Sequence, residues 1–191
     1  MKKRLRLIFN SPLVLAFAFA CFIVTLVRTI SGDNDFTLLF STYGFSWGKP
    51  LSYIRLFTHV LGHVNFSHLV NNMAFILLLG PILEEKYGWK NLLAVILVTA
   101  FVTGLIHSIC FPHSYLLGAS GVVFAFILMT SFTEFREGEI PLTFILVALV
   151  YLGQQIYDAV AVQDNVSNLS HILGGVVGSI GGYILNEKRR S

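Results

Sequence analysis

Long stretches without Lys, Arg, Asp or Glu dominate this chain and constrain its fold more than any other feature. They cover residues 7–27, 56–83, 91–133, 140–157 and 165–186. A membrane-spanning helix needs roughly 20 consecutive, mostly apolar residues. With 55% hydrophobic and only 12% charged residues, the chain has too few charges to cover the surface of a soluble domain of 191 residues. An all-α membrane protein is therefore predicted.

The uncharged stretches predict six membrane spans. The run 91–133 is long enough for two helices, and Pro112-His113-Ser114 interrupts it. The predicted spans are about 12–30, 66–84, 91–110, 118–134, 141–157 and 168–186. We expect one six-helix transmembrane bundle over residues 1–191, and the lack of a convincing internal repeat disfavours an inverted-repeat transporter.

The distribution of basic residues predicts the orientation. With six spans both termini lie on the same side, together with most of the Lys and Arg residues: Lys2, Lys3, Arg4, Arg6, Lys86, Lys90, Arg136, Lys188, Arg189 and Arg190. Only Arg28, Lys49 and Arg55 fall on the other side. The positive-inside rule then predicts cytoplasmic termini. The formal net charge of +3 thus reflects loop asymmetry, and the expected surroundings are lipid, not nucleic acid.

Polar side chains occur at the start of the second, fourth and sixth spans. The sequences there are His68 with Asn72, Gly118-Ala119-Ser120-Gly121, and Ser170-His171. These three spans run inward from the external face in the predicted topology, so their polar groups share a shallow depth. Ionisable groups in a membrane are costly and are functional candidates by default. We expect one site that opens to external water.

The residue types suit nucleophilic catalysis. A serine hydroxyl becomes a good nucleophile when a neighbouring imidazole accepts its proton, a role available to His171. Ser120 begins a helix, where unpaired N–H groups and the helix dipole favour an oxyanion. His68 and Asn72 are one helical turn apart and can both donate hydrogen bonds to that oxyanion, whereas Asn71 lies on another face.

Each feature also has a structural interpretation. Gly-x-Ser-Gly in a membrane helix is often a packing motif, and His68 with Asn72 could form an interhelical hydrogen bond. His107, near the external end of the third span, is interpreted as packing or loop support. Cys21 and Cys110 have the spacing of ordinary packing residues, not of a disulfide or metal site.

A metal site is the chemical alternative. His59, His63 and His68 with Asn72 contain suitable ligand atoms, but no acidic residue or cysteine lies at shallow depth to complete a zinc site. No metal and no cofactor are expected.

Taken together, the motifs resemble the rhomboid family of intramembrane serine proteases. The run from Phe57 to Asn72 is similar to the family's three histidines followed by asparagine, and continues in register to Gly80, Glu84 and Gly88. Gly118-Ala119-Ser120-Gly121 resembles the nucleophile motif. Ser170-His171-Ile172-Leu173-Gly174, with Gly178, resembles the helix of the catalytic histidine.

The resemblance implies a Ser–His dyad without an acidic third member. Ser120 would be the nucleophile, His171 the base and then the acid, and His68, Asn72 and the Ser120 amide the oxyanion hole. Supporting roles are implied for Gly118, Gly121, Gly174, Gly178, Phe124 and Arg55. Substrates would be single-span membrane proteins cut near the external face. A chain this compact resembles bacterial members, so a bacterial inner membrane is expected.

Three positions depart from the family pattern. Ile54 replaces the tryptophan that usually precedes Arg55 in the first loop. Phe124 replaces a tyrosine that often stacks on the catalytic histidine, which keeps the ring and loses the hydroxyl. Asn71 stands where bulkier apolar residues are common. None of these changes removes a group that the chemistry needs.

Two other function classes are weighed against a protease. A non-catalytic membrane chaperone or binding protein could use the same bundle, and would not need the serine. A channel or proton-coupled transporter could use His68, His107 and His171, but it lacks paired carboxylates and a polar path to the cytoplasmic half. The complete set of catalytic residue types favours the protease.

Overall fold

The computed structural model describes residues 8–32, 34–132, 139–140, 142–161 and 165–190. Its helices are α1 (Pro12–Ser31), α2 (Asn34–Leu39), α3 (Pro50–Thr58), α4 (Phe66–Tyr87), α5 (Trp89–Cys110), α6 (Ser120–Ser131), α7 (Leu142–Ala161) and α8 (Asn165–Arg190), with a 3-10 turn at His59–Leu61. No strand occurs within these ranges. Thr42 and Leu116 form an isolated antiparallel β-bridge. The all-helical class is confirmed.

Four helices are long and apolar enough to cross a membrane: Pro12–Ser31, Phe66–Tyr87, Trp89–Cys110 and Asn168–Lys188. α6 and α7 occupy the other two predicted spans. α6 has 12 residues, so it is about 18 Å long, well short of a hydrocarbon core of about 30 Å. The six-span count therefore stays a prediction. So does the orientation, because Lys2, Lys3, Arg4, Arg6 and Arg136 lie outside the described residues.

The loop between α1 and α4 folds into α2, α3 and an aromatic cluster. The ring of Phe45 lies 5.0 Å from those of Trp47 and Tyr53. The Arg55 guanidinium lies 4.8 Å above the ring of Tyr43. Tyr43 in turn packs on Tyr115 at 4.8 Å, in the segment that leads into α6. Arg55 therefore supports the loop through an aromatic contact, and Ile54 beside it is exposed.

α6 is the central helix of the bundle and is enclosed by α4, α5 and α8. Its Val122, Phe126 and Met129 are almost completely buried. They belong to one apolar core together with residues of α1, α4 and α5, among them Ile76 and Leu92. The packing of α6 against α4, α5 and α8 fixes the position of Ser120 at its first turn.

Glycines bring α8 into backbone contact with α6. A Cβ atom at Gly174 would collide with the carbonyl oxygen of Gly121, and one at Gly178 would collide with that of Ala125. The residue numbers of the contacting pairs increase together along both helices, so α6 and α8 run in the same direction. Such close approach is the usual role of small residues between membrane helices.

α4 runs in the same direction as α6 as well. Gly118, just before α6, lies beside His68 and Asn72 in the first turns of α4. Further along, Gly80 of α4 lies against Phe126 of α6. The starts of α4, α6 and α8 therefore lie at one end of the bundle, in the arrangement that the sequence predicted.

Glu84 of α4 caps α1 across the helix interface. Its two carboxylate oxygens accept hydrogen bonds from the backbone N–H groups of Leu13, at 3.1 Å, and Val14, at 3.0 Å. Ser11, at the N-cap position, makes no side-chain cap, so these N–H groups depend on Glu84. The carboxylate is buried and also complements the positive end of the helix dipole.

We expect Glu84→Ala to lower the free energy of unfolding by about 2 kcal/mol, because two N–H groups at the start of α1 lose their charge-assisted hydrogen bonds. Glu85→Ala is the matched control, since the neighbouring Glu85 is exposed. Thermal unfolding in detergent measures both. Equal melting temperatures for the two variants would contradict the capping role.

Candidate active site

The backbone just before Ser120 lies against His68 and Asn72. A Cβ atom at Gly118 would stand 3.0 Å from Nε2 of His68 and 3.8 Å from Nδ2 of Asn72. Gly118 also has φ +134°, a conformation that residues with a side chain rarely adopt. Glycine is thus required here on two grounds, and it lets both side chains approach the start of α6.

Ser120 and His171 both lie at the interface between α6 and α8. Ser120 is the first residue of α6, and Phe124 follows it by one turn on the same face. The ring of Phe124 lies 4.3 Å from the ring of His171, at an angle of 40°. Because Gly174 rests on Gly121 and the helices are parallel, His171, one turn earlier, is level with the start of α6.

The side-chain amide of Asn72 is buried, and its N–H donor is unsatisfied among the described residues. Asn72 is 6% exposed, and its Nδ2 has no hydrogen-bond partner among the described residues. An unpaired buried donor costs free energy, so its presence calls for a reason. Asn71 is exposed and points away, as its different helical face predicted.

Asn65, to which the sequence analysis assigned no role, sets the start of α4. Its side-chain oxygen accepts the backbone N–H of His68 at 2.8 Å, which makes it the N-cap of the helix. Asparagine is a favoured N-cap, and the available signal was its place just before the apolar run. The cap brings His68 into the first turn, level with Gly118.

Two buried histidines hold the segment that precedes Ser120. The N–H of Gly118 donates to the carbonyl of His59 at 3.0 Å. The N–H of Ala119 donates to Nε2 of His63 at 3.4 Å. Nδ1 of His63 lies 3.2 Å from the carbonyl of Leu61, so the proton is on Nδ1 and Nε2 is the acceptor. From the sequence, His59 and His63 were considered only as possible metal ligands and as part of the family motif.

Both histidines are kept neutral by their surroundings. Burial, and then the nearby His68, lowers the pKa of His63 to about 4. Burial, and then His107, lowers the pKa of His59 to about 3. A neutral His63 is what the Ala119 N–H requires, because a protonated Nε2 could not accept a hydrogen bond.

α5 completes the support of this segment. Thr103 donates to the carbonyl of Thr99 at 2.8 Å, so its oxygen can accept Nε2–H of His59 at 3.3 Å. Nε2 of His107 donates to the carbonyl of Ser114 at 2.9 Å. The interpretation of His107 as loop support is confirmed.

No group of three or more His, Cys, Asp or Glu side chains within the described ranges is arranged to hold a metal ion. His63 and His68 pack edge to face, with ring centroids 5.0 Å apart. Both ring nitrogens of His63 already have hydrogen-bond partners. Cys21 is buried and Cys110 exposed, and neither forms a disulfide.

The chain also matches a known protein family. Residues 50–188 match the family model of the rhomboid domain. The match covers more than two thirds of the chain, from the start of α3 to near the end of α8, and contains every residue that the sequence analysis assigned to the site. α1 and α2 precede the matched region.

Proposed function

Since this chain belongs to the rhomboid family, we propose that it is an intramembrane serine endopeptidase with Ser120 as nucleophile and His171 as general base. It is an integral membrane protein. The observation that carries the proposal is the meeting of three helix starts: His68 and Asn72 lie against Gly118, two residues before Ser120, and His171 packs on Phe124, one turn after it.

The chemistry proceeds in two steps. The Ser120 hydroxyl attacks the scissile carbonyl while His171 accepts its proton, and the tetrahedral intermediate carries an oxyanion. Collapse of the intermediate breaks the C–N bond, and His171 returns the proton to the leaving amine. Water then attacks the acyl-enzyme by the same route, again with His171 as base, and releases the carboxylate and free Ser120.

The oxyanion is stabilised by donors on two helices. We assign this role to the Ser120 N–H at the start of α6 and to the side chains of His68 and Asn72 on α4. The buried Nδ2 of Asn72 supports the assignment: it has no hydrogen-bond partner among the described residues, as expected of a donor held ready for a charge that appears only in the reaction. Phe124 packs on the imidazole and limits its rotation.

The substrates that fit are single-span membrane proteins, cut near the external face of the bilayer. A site formed by the starts of three helices lies near one membrane surface, where a helix-weakening segment of the substrate can unwind and meet water. A bacterial inner membrane, cytoplasmic termini and chemistry without metal or cofactor are part of the same proposal.

Covalent labelling tests the enzyme class most directly. The purified protein is treated with a fluorophosphonate, and the modified residue is mapped by mass spectrometry. We expect label on Ser120 in the native protein and none after heat unfolding, because only the assembled site activates the hydroxyl. Native protein that stays unlabelled would instead favour a non-catalytic membrane chaperone or binding protein.

The two neighbouring asparagines offer a matched pair for the oxyanion role. Asn72→Ala is expected to lower kcat about 100-fold with little change in KM, as loss of one oxyanion donor does in other serine hydrolases. Asn71→Ala, on the exposed face, should leave kcat within about twofold of the unchanged protein. Cleavage kinetics on a model single-span substrate measure both, and equal kcat values would remove Asn72 from the site.

A further inference from the structure

Arg28, in the last turn of α1, binds the segment that connects the 3-10 turn to α4. Its Nε donates to the Thr37 hydroxyl at 3.2 Å. One terminal nitrogen donates to the carbonyl of His63 at 3.0 Å and also to that of Val64. Arg28 lies before the region that matches the family model.

The imidazole of His63 carries this connection onward to the nucleophile. Its Nε2 accepts the N–H of Ala119, the residue before Ser120. The backbone of His63 is held by Arg28 and its side chain holds Ala119. Hydrogen bonds through His63 thus connect α1 to Ala119, the N-cap residue of α6.

We propose that Arg28 is a positioning residue for the nucleophile: by fixing His63, it keeps the Ala119–Ser120 backbone in place. The inference rests on the proposed function, because positioning matters only if Ser120 reacts. The proposed effect on Ser120 is indirect and passes through His63, the bonded residue whose side chain reaches Ala119.

The surroundings of Arg28 explain why these bonds matter. Cavities of about 500 and 320 Å³ border its side chain, and Val64 lines both of them. Val64 itself is 51% exposed, so packing restrains it little, and the hydrogen bond from Arg28 supplies a further restraint. The planar guanidinium can donate to two adjacent carbonyls and a hydroxyl at once, which the single ammonium of lysine cannot reproduce.

Loss of Arg28 should also change the response to acid. A loosened segment admits water to His63, and its pKa then rises from about 4 toward the ordinary value of 6.5. The titratable and charged groups around His63 are His68, with its ring 5.0 Å away, and Arg28 itself; both are cationic when charged, so neither favours protonation. Protonated His63 can no longer accept the Ala119 N–H.

The test compares Arg28→Ala and Arg28→Lys with Thr29→Val. Thr29 is the adjacent residue of α1, and its hydroxyl donates to the carbonyl of Thr25 within the same helix. The full-length variants are assayed for fluorophosphonate labelling of Ser120 and for substrate cleavage between pH 5 and 8. Activity is measured again after return to pH 7, which separates protonation from irreversible unfolding.

We expect Arg28→Ala to label Ser120 about tenfold more slowly at pH 7. Below pH 7 the plot of log kcat/KM against pH should be steeper than that of the parent protein by about one unit of slope, because His63 now titrates as well. Arg28→Lys should be intermediate, with the same steeper limb, and Thr29→Val unchanged. If Arg28→Ala does not insert, the lysine variant decides.

If the parent protein is active, and both Arg28 variants keep its labelling rate and the slope of its pH profile, the positioning role is overturned while the protease proposal remains intact. A slower Arg28→Ala with an unaltered slope, or full recovery by lysine, would overturn it as well. An inactive parent protein whose Ser120 takes no label would remove the proposed function itself.

Discussion

Replacement of Ser120 by alanine, or of His171 by alanine, is expected to abolish cleavage of a single-span substrate, with a loss of at least about 10³-fold in kcat. Alanine at 120 removes the nucleophilic oxygen, and alanine at 171 removes the base that accepts its proton. Because the two groups act as a unit, the double variant should be no worse than either single one. The measurement is cleavage in lipid vesicles.

Matched controls separate chemistry from folding. Ser131→Ala changes a serine at the other end of α6, whose hydroxyl donates, within the part of the chain that the structure describes, only to the carbonyl of Ile127. His113→Ala changes an exposed histidine of the loop before α6. Both controls should retain activity, and all variants should insert equally and melt within a few degrees of one another. Cleavage that persists in Ser120→Ala or His171→Ala would end the dyad assignment.

Gly174→Val should destroy activity by separating the two catalytic helices. Even a Cβ atom at Gly174 would collide with the carbonyl of Gly121, so valine must push α8 away from α6. His171 is one turn from this contact and would move with the helix. We expect the free energy of unfolding to fall by about 3 kcal/mol, and fluorophosphonate labelling of Ser120 to fall about 100-fold, since a displacement near 1 Å is enough for such a loss.

Gly153→Val is the control for the glycine prediction. A Cβ atom at Gly153 of α7 would meet nothing within 4 Å, so valine there tests the cost of the substitution without the backbone collision. Its melting temperature and labelling rate should stay close to those of the parent. Normal labelling of Ser120 in Gly174→Val would mean that the close approach of α6 and α8 is not needed.

Hydropathy predicted the positions of the helices more accurately than the residues at which they begin and end. The uncharged run predicted the fourth span at about 118–134, whereas α6 covers Ser120–Ser131. The start is later because Gly118 has a positive φ and Ala119 serves as the N-cap. Hydropathy reports how apolar a segment is, but a single backbone angle decides where its helix begins.

The site residues were predicted better than the residues that support them. Ser120, His171, His68 and Asn72 stood out because polar groups in apolar helices are rare. The bonds from the start of α6 to His59 and His63 could not be predicted in the same way, because they depend on how the first loop folds over the bundle. Arg28 was counted only as an external charge, and its two carbonyl partners lie far along the chain.

The sequence by itself determined that this chain is a helical membrane protein of the rhomboid type, since the price of a charge or an unpaired backbone in lipid leaves few alternatives. Only the tertiary structure decided the register of α6 on α8, the contact of Gly118 with His68 and Asn72, and the path from Arg28 to Ala119. Those features depend on steric contact and hydrogen-bond direction at the scale of single atoms. Composition and spacing do not carry that information.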